Sequence, residues 1–409
     1  MVSYTYLNLF IIINHKGEIT MQNKICVYAI CKNESQFVER WLNSMQEADY
    51  IVVLDTGSVD DTYEKLVNDK RVYRCEQKVI NPWRFDVARN ESMKLIPDDA
   101  NILVCTDLDE ILEPGWADVL REKWVEGQHK RAHYKYAWSH LENGEPGRIF
   151  VYDKIHGKGW KWKYPVHEML VKEEDNKNFT TEDQVLNVYE EIYLHHYPDQ
   201  TKSRGSYLSL LELRAKEDKE DWYGLIYLSH EYNYRGFYEK SNKVLTYILT
   251  DYADKYNSIE QASCYLFMGD NYRALGKPYD AIESYLKAIE VDSTYREPYL
   301  MGAEVLNELG SYESAIACVH EAFKLTYRHF NWLEVDDCWR EKPYDILALS
   351  YYNMKNAKKC YINGLVAHKL NPFDERIKNN LVFYKELFDE SINDTDAIKL
   401  LLDQVIIEI

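Results

Sequence analysis

Basic charge is what this sequence has too little of. Lys and Arg total 49 against 68 Asp and Glu, a net charge of −19 over 409 residues. So acidic a chain excludes general nucleic-acid binding and docking to anionic membranes, because both need clustered cations. A local basic pocket for a small phosphorylated ligand stays open. Long apolar runs are also missing: no stretch approaches the ~20 residues of a membrane span, so no stable membrane insertion is expected. The apolar stretch Tyr6–Ile13 has no basic segment before it and no small-residue cleavage site after it, which argues against a signal peptide. The eight cysteines form no C-x-x-C pair and no zinc-site spacing. They read as reduced thiols packed in the cores of a cytoplasmic protein.

What is present suffices for folding. Apolar residues make up 46% of the chain, and its length implies two or three domains. Lys16-Gly17-Glu18 is what a purine-rich ribosome-binding sequence would encode, with Met21 at a suitable distance, so residues 1–20 read as leader and translation is expected to begin at Met21. The abundance of Asn, Lys, Ile and Tyr (35 tyrosines) is that of an AT-rich genome, bacterial or phage. The domain reading is an extension over 1–23, an α/β domain over 24–202, helical repeats over 203–390 and a C-terminal helix or tail over 391–409.

From Lys24 the pattern alternates. Lys24–Cys31, Tyr50–Leu54, Arg71–Cys75 and Asn101–Thr106 are strand-length apolar runs. Phe37–Met45 and Asp86–Leu95 have helical spacing, and Ser58 reads as the N-cap of a further helix. Continuous apolar strands separated by helices predict a Rossmann-like, mainly parallel sheet with both faces covered. Functional residues of such sheets collect beyond the carboxyl ends of the strands. Those ends carry Lys32-Asn33-Glu34, Asp55-Thr56-Gly57-Ser58 and Asp107-Leu108-Asp109-Glu110. Two carboxylates at i and i+2 on an extended segment point the same way, so Asp107 and Asp109 can face one hard cation, Mn²⁺ or Mg²⁺, that also accepts diphosphate oxygens.

After about Ser203 the chain turns helical and repeats itself. Residues 261–294 align with 295–328 at a shift of 34: Tyr265 with Tyr299, Leu275-Gly276 with Leu309-Gly310, Ala281 with Ala315 and Ala288 with Ala322. That is the tetratricopeptide period, with Gly at the turn and Ala where helices touch. Looser copies surround Gly236 and Tyr238, and Cys360, Ala367 and Pro372. Such repeats stack into an array with a concave surface, suited to a peptide or protein partner or to a homodimer.

The strand-end motifs, taken together with Trp83-Arg84-Phe85-Asp86-Val87-Ala88-Arg89-Asn90 and Val166-His167-Glu168, resemble family-two glycosyltransferases of the GT-A fold. The repeat tail narrows the resemblance to the tetratricopeptide-containing branch, similar in layout to peptide S-glycosyltransferases. The resemblance implies an inverting, metal-dependent hexosyltransferase that moves a sugar from a UDP-sugar to an acceptor of protein or peptide kind. Asp55 would then meet the uracil, beside a wall that includes Asn33 and Glu34. Asp107 would meet ribose or metal, and Asp109 would be the main metal ligand. Asp86, Arg89, Asn90 and Arg148 would contact sugar, ribose or diphosphate. Glu168 is the leading candidate for the base, with Asp153 and Glu110 as rivals. His167 is a further candidate metal ligand. His195 and His196 end the run EIYLHHYPD, where related enzymes often have one His followed by Gly-Tyr; His195 is taken as the site residue. Trp160, Trp162 and Tyr164 alternate and could stack on a sugar, and Lys202 and Arg204 could close over phosphate. Two other classes stay open. A sugar nucleotidyltransferase would want a glycine-rich loop after the first strand, where this chain has Cys31-Lys32-Asn33-Glu34. A non-catalytic repeat scaffold on a retained sugar-nucleotide fold would not need Asp107-x-Asp109.

Overall fold

The computed structural model describes residues 11–13, 19–21, 23–141, 143–176, 181–199, 205–328 and 333–389. The chain forms two compact units, 1–206 and 207–409. Lys202 and Arg204, the expected boundary at 202/203 and the tail 391–409 lie outside the described residues. Within the expected extension, β1 (Ile11–Ile13) pairs antiparallel with β2 (Ile19–Met21).

The first unit continues with β3 (Ile25–Cys31), α1 (Val38–Met45), β4 (Tyr50–Asp55), α2 (Thr62–Val67), β5 (Arg74–Gln77), α3 (Phe85–Met93), β6 (Ile102–Cys105), β7 (Glu110–Leu112) and α4 (Trp116–Lys123). It closes with β8 (Arg131–Ala137), β9 (Ile149–His156), β10 (Trp160–Lys163), β11 (Met169–Lys172), β12 (Val185–Asn187) and β13 (Tyr193–His196). One mixed nine-stranded sheet runs β5-β4-β3-β6-β9-β8-β13-β7, with β12 also on β8. The four strands β5, β4, β3 and β6 are parallel, and β9 is antiparallel to both β6 and β8.

The buried strand β3 explains the layering. Its side chains alternate between faces. Ile25, Val27, Ala29 and Cys31 pack with Trp41 and Leu42 of α1 and Trp116 and Leu120 of α4. Cys26, Tyr28 and Ile30 pack with Ala88 of α3 and with Trp160, Trp162 and Leu170 of the β10–β11 hairpin. Trp160 and Trp162 are 2% and 3% exposed, so these rings complete the core and are not a sugar-stacking face. A polar relay pins the hairpin to the sheet. Trp162 Nε1–H donates to Tyr28 Oη at 2.9 Å, and the Tyr28 hydroxyl donates to His156 Nε2 at 2.7 Å. His156 Nδ1–H donates to the Gly157 carbonyl at 2.7 Å.

The helix expected at Ser58 starts instead at Thr62. The preceding turn is committed elsewhere: Ser58 Oγ accepts the Asn33 amide, and Asp60 Oδ1 accepts both the Thr62 amide and its hydroxyl.

The second unit is a series of helices: α5 (Tyr207–Glu217), α6 (Trp222–Tyr234), α7 (Tyr238–Asp251), α8 (Ser258–Ala274), α9 (Pro278–Val291), α10 (Glu297–Glu308), α11 (Tyr312–Phe323), α12 (Lys342–Asn353), α13 (Ala357–Leu370) and α14 (Glu375–Asp389). α6–α7, α8–α9, α10–α11 and α12–α13 pack as hairpins, each against the next, so this half is a tetratricopeptide-like helical repeat. The register read from the sequence falls on the contacts: Ala281, Ala288, Ala315, Ala322, Cys360 and Ala367 are fully buried where helices meet. The turn inside each hairpin needs a left-handed residue. Gly236, Gly276 and Gly310 supply it, and Lys355 adopts the same conformation in the last hairpin (φ 60°). No helix among the described residues is long and apolar enough to cross a membrane.

Two stability outcomes follow. His156 is fully buried, and burial pushes its pKa from 6.5 down to about 3. Above pH 6.5 this contributes no penalty. As pH falls from 6.5 towards 3, the unfolded chain takes a proton that the folded chain refuses, costing ~1.4 kcal/mol per pH unit. In urea unfolding at pH 7 and pH 5, wild type should lose about 2 kcal/mol more than His156→Gln; equal losses would refute the assignment. In the repeat unit, a Cβ on Gly269 would lie 2.3 Å from Tyr285 Cε1, a ring that is 1% exposed. Gly269→Ala should therefore destabilise this unit by roughly 1–3 kcal/mol through overpacking, read as a lower thermal midpoint.

Candidate functional site

The chain steps from β3 to β4 to β5 on one side, then returns to lay β6 on the other side of β3. The strand order reverses between β3 and β6, and the crevice beyond such a switch point is the usual ligand position of an open α/β sheet. Asn33 and Glu34 follow β3, Asp55 ends β4, and Asp107 and Asp109 follow β6.

Arg89 on α3 is the centre of this crevice. It is 3% exposed, and its guanidinium lies over the Trp162 ring at 5.3 Å. Nη2 meets both oxygens of Asp107 at 3.0 and 3.1 Å, Nη1 donates to Cys105 Sγ at 3.2 Å, and Nε pairs with Glu168. Lys154 on β9 approaches Asp107 Oδ2 at 3.5 Å. Burial would raise the Asp107 pKa, but Arg89 and Lys154 hold it well below the usual carboxylate range. Burial likewise opposes, and Arg89 and Lys154 outweigh it, at Glu168, whose pKa is lowered.

Asp109 faces a different partner. His196 Nε2 stands 3.4 Å from Asp109 Oδ2, while His196 Nδ1 is 3.0 Å from the Trp138 carbonyl. With Nδ1–H donating to that carbonyl, a neutral His196 turns the Nε2 lone pair towards Asp109, the orientation of a metal-ligating imidazole. Burial lowers the His196 pKa, but the hydrogen bond and charge of Asp109 raise it overall. Glu110 is 1% exposed and accepts the Asp107 amide at 2.9 Å and the Tyr136 hydroxyl at 3.1 Å. Its pKa is raised by burial.

Several expected ligand contacts are occupied by structure. Asp55 is fully buried, and its Oδ1 accepts the Gly57 and Ser58 amides at 2.8 Å and Gln77 Nε2 at 3.0 Å. It organises the 55–58 turn, to which Asn33 of the loop after β3 is tied: the Asn33 amide donates to Ser58 Oγ and Asn33 Oδ1 accepts the Val59 amide, both at 2.8 Å. Glu34 is buried, with its amide on Thr62 Oγ1 at 2.8 Å. Asp86 pairs with Arg84 through both oxygens, at 3.0 and 2.9 Å. Asn90 is a latch: it donates to the Trp162 carbonyl and accepts the Trp162 amide, both at 2.8 Å, fastening β10 to α3. Arg148 lies with its guanidinium 5.5 Å from the Trp138 ring, and Trp138 is 37% exposed.

The two adjacent histidines separate. Alternation along β13 sends them to opposite faces. His195 bonds His140 Nε2 at 3.0 Å and Glu113 Oε1 at 3.0 Å, and His196 takes the place beside Asp109. His167 is exposed in the turn between β10 and β11, with φ 48°. Among the described residues, no group of three or more His, Cys, Asp and Glu side chains gathers as a metal cage. Asp109 and His196 are a carboxylate and an imidazole 3.4 Å apart. Asp107 is taken by Arg89 and Lys154. The sequence reading missed Lys154, and spacing does not single it out, because β9 is irregular between Tyr152 and Ile155.

No family model and no curated protein matches the chain. Solved structures similar to it include a thermophilic TPR protein of Thermus thermophilus (18% identity, 44% of this chain and 89% of that one, TM-score 0.35). MamA of Desulfovibrio magneticus (15%, 46% and 97%, 0.34) and pilF of Pseudomonas aeruginosa (14%, 45% and 72%, 0.34) are others. These likenesses carry no argument about function, and the repeat assignment rests on the hairpins and their register.

The geometry separates the two histidines experimentally. Mn²⁺ binding followed by electron paramagnetic resonance should weaken at least tenfold in His196→Gln, as loss of even an outer-shell partner typically does. His195→Gln should bind as wild type does. The reverse pattern would restore His195.

Proposed function

We propose that this chain is a metal-assisted glycosyltransferase, using a UDP-sugar as donor and a protein or peptide as acceptor. The observation that carries the reading is the placement of Asp107-x-Asp109 beyond β6 at the crevice of the sheet, with His196 beside Asp109. Mn²⁺ or Mg²⁺ held by Asp109 and His196 would supply positive charge to the departing diphosphate. Arg89 holds Asp107 and Glu168 in place. The β10–β11 hairpin, latched by Asn90 and Trp162, keeps Glu168 at the crevice.

The base is the part the geometry constrains most. Glu168 is paired with Arg89, and Asp153 pairs with Arg131 at 2.5 Å. Glu110 is already bonded to Tyr136 and to the Asp107 amide. A carboxylate whose pKa is depressed is a weak proton acceptor, so Glu168 would act as base only if acceptor binding loosened its pair with Arg89.

A nucleotidyltransferase fits less well. The loop after β3 is tied to residues 58–62 through Asn33 and Glu34 and offers no glycine-rich cradle. An interaction scaffold is the second reading, favoured by the stacked hairpins of the helical unit. In the glycosyltransferase reading these repeats bind the acceptor.

Thermal shift with UDP-, GDP- and CMP-sugars plus Mn²⁺ separates the readings, since ligand binding raises the midpoint by mass action. One UDP-sugar should give a Mn²⁺-dependent shift that Asp109→Asn loses while its own midpoint stays near that of wild type. No shift with any sugar nucleotide would leave the scaffold reading.

A further inference from the structure

Lys154 is a half-buried cation that folding alone does not explain. On β9, Phe150 and Tyr152 share one face, and the pairing with β8 shifts by one residue between Tyr152 and Ile155, so Lys154 sits at an irregularity of the strand rather than in its regular alternation. Tyr152 stacks on Tyr136 with ring centroids 4.3 Å apart, and Phe150 packs edge-on against Tyr136 at 5.2 Å. Lys154 loses most of its hydration, its side chain being only 12% exposed. Its ammonium lies 5.1 Å from the Tyr152 ring centroid and 3.5 Å from Asp107 Oδ2. Replacing a buried ion pair by packed apolar residues is often neutral or stabilising, so stability is a poor reason for this residue. Nor does Asp107 need it as a partner, because Arg89 already meets both carboxylate oxygens.

Charge arithmetic gives the reason. Asp107 and Glu168 bring two negative charges, and Arg89 is shared between them. Without a second cation this cluster would be net negative beside Asp109, and it would repel an incoming polyanion. Lys154 offsets that charge, and it faces the Glu110 carboxyl as well. Asp107 is 31% exposed on its side chain, so the ammonium lies just behind a carboxylate that opens to the crevice. A lysine ammonium has three donors, and Asp107 and the Tyr152 face leave it capacity for a phosphate oxygen.

We propose that Lys154 is a second anchoring cation for the diphosphate of the nucleotide donor, giving the site a component of nucleotide binding that needs no metal. The inference rests on the glycosyltransferase reading and adds to it a specificity-determining residue. Two positive sources then act on the diphosphate from different walls of the crevice: the cation at Asp109 and His196, and the ammonium at Lys154.

The test is isothermal titration of UDP into the full chain, with Mn²⁺ or with EDTA. Wild type should bind UDP in EDTA, more weakly than with Mn²⁺. Lys154→Met should lose roughly ten- to a hundredfold of the EDTA affinity, the scale of one charge-assisted hydrogen bond, and Lys154→Arg should keep most of it. Removing Lys154 leaves Asp107 and Glu168 with Arg89 alone, so the thermal midpoint of Lys154→Met should fall, and affinities are compared well below the midpoint of each variant, which separates loss of contact from loss of fold. If Lys154→Met misfolds, Lys154→Gln carries the same comparison. Wild type and both variants binding equally in EDTA, or wild type binding only with Mn²⁺, would overturn the role of Lys154 while leaving the donor site standing. No UDP binding by wild type under either condition would overturn the glycosyltransferase reading, and this inference with it.

Discussion

A single buried guanidinium organises the crevice of the first unit. Arg89 comes from α3, yet it joins the loop after β6 through Asp107 and the hairpin β10–β11 through Glu168 and the Trp162 ring. A buried cation is tolerated only when paired and hydrogen-bonded. Arg89 therefore fixes its partners as firmly as they fix it. Three elements far apart in sequence are drawn to one edge of the sheet because one charge must be compensated there.

The hairpin is held by more than that charge. Asn90, one residue beyond Arg89, exchanges two hydrogen bonds with the Trp162 backbone, and the Trp162 indole reaches Tyr28 and, through it, His156. Rigidity at the crevice is thus delivered by polar contacts that are buried and satisfied, the condition under which such networks specify one arrangement. The helical unit is built by another logic. Its hairpins stack on small residues such as Ala281, Ala315 and Cys360, and Gly269 gives way to the Tyr285 ring. Each repeat buries its face only against a neighbour, so the unit is extended by addition rather than closed around a core.

The two units were unequally legible. In the repeats, period and small-residue register come from local spacing, and both survive in the packing. In the α/β unit, the strands over 25–31, 50–55 and 102–105 lie within one residue of the expected runs at each end, because continuous apolar character is a strong signal for a strand buried on both faces. The third strand appears at Arg74–Gln77 rather than at 71–75. It is an edge strand, and its mixed, mostly exposed residues carry little pattern. Residue roles were less legible than elements. Asn90, Trp160 and Trp162 have the chemistry of ligand contacts, but the fold uses them for a latch and a core.

An acidic chain without a membrane-length apolar run, an alternating strand–helix half and a 34-residue helical period can all be read from residue order. These are properties of composition and of spacing within a segment, and they hold whatever the rest of the chain does. Only the tertiary structure decided which of two neighbouring histidines meets Asp109, that Asp107 is held by Arg89 and Lys154, and that Glu168 is a paired carboxylate. Those facts depend on which face of a strand a side chain occupies and on what another strand brings opposite it. No window of sequence contains both partners.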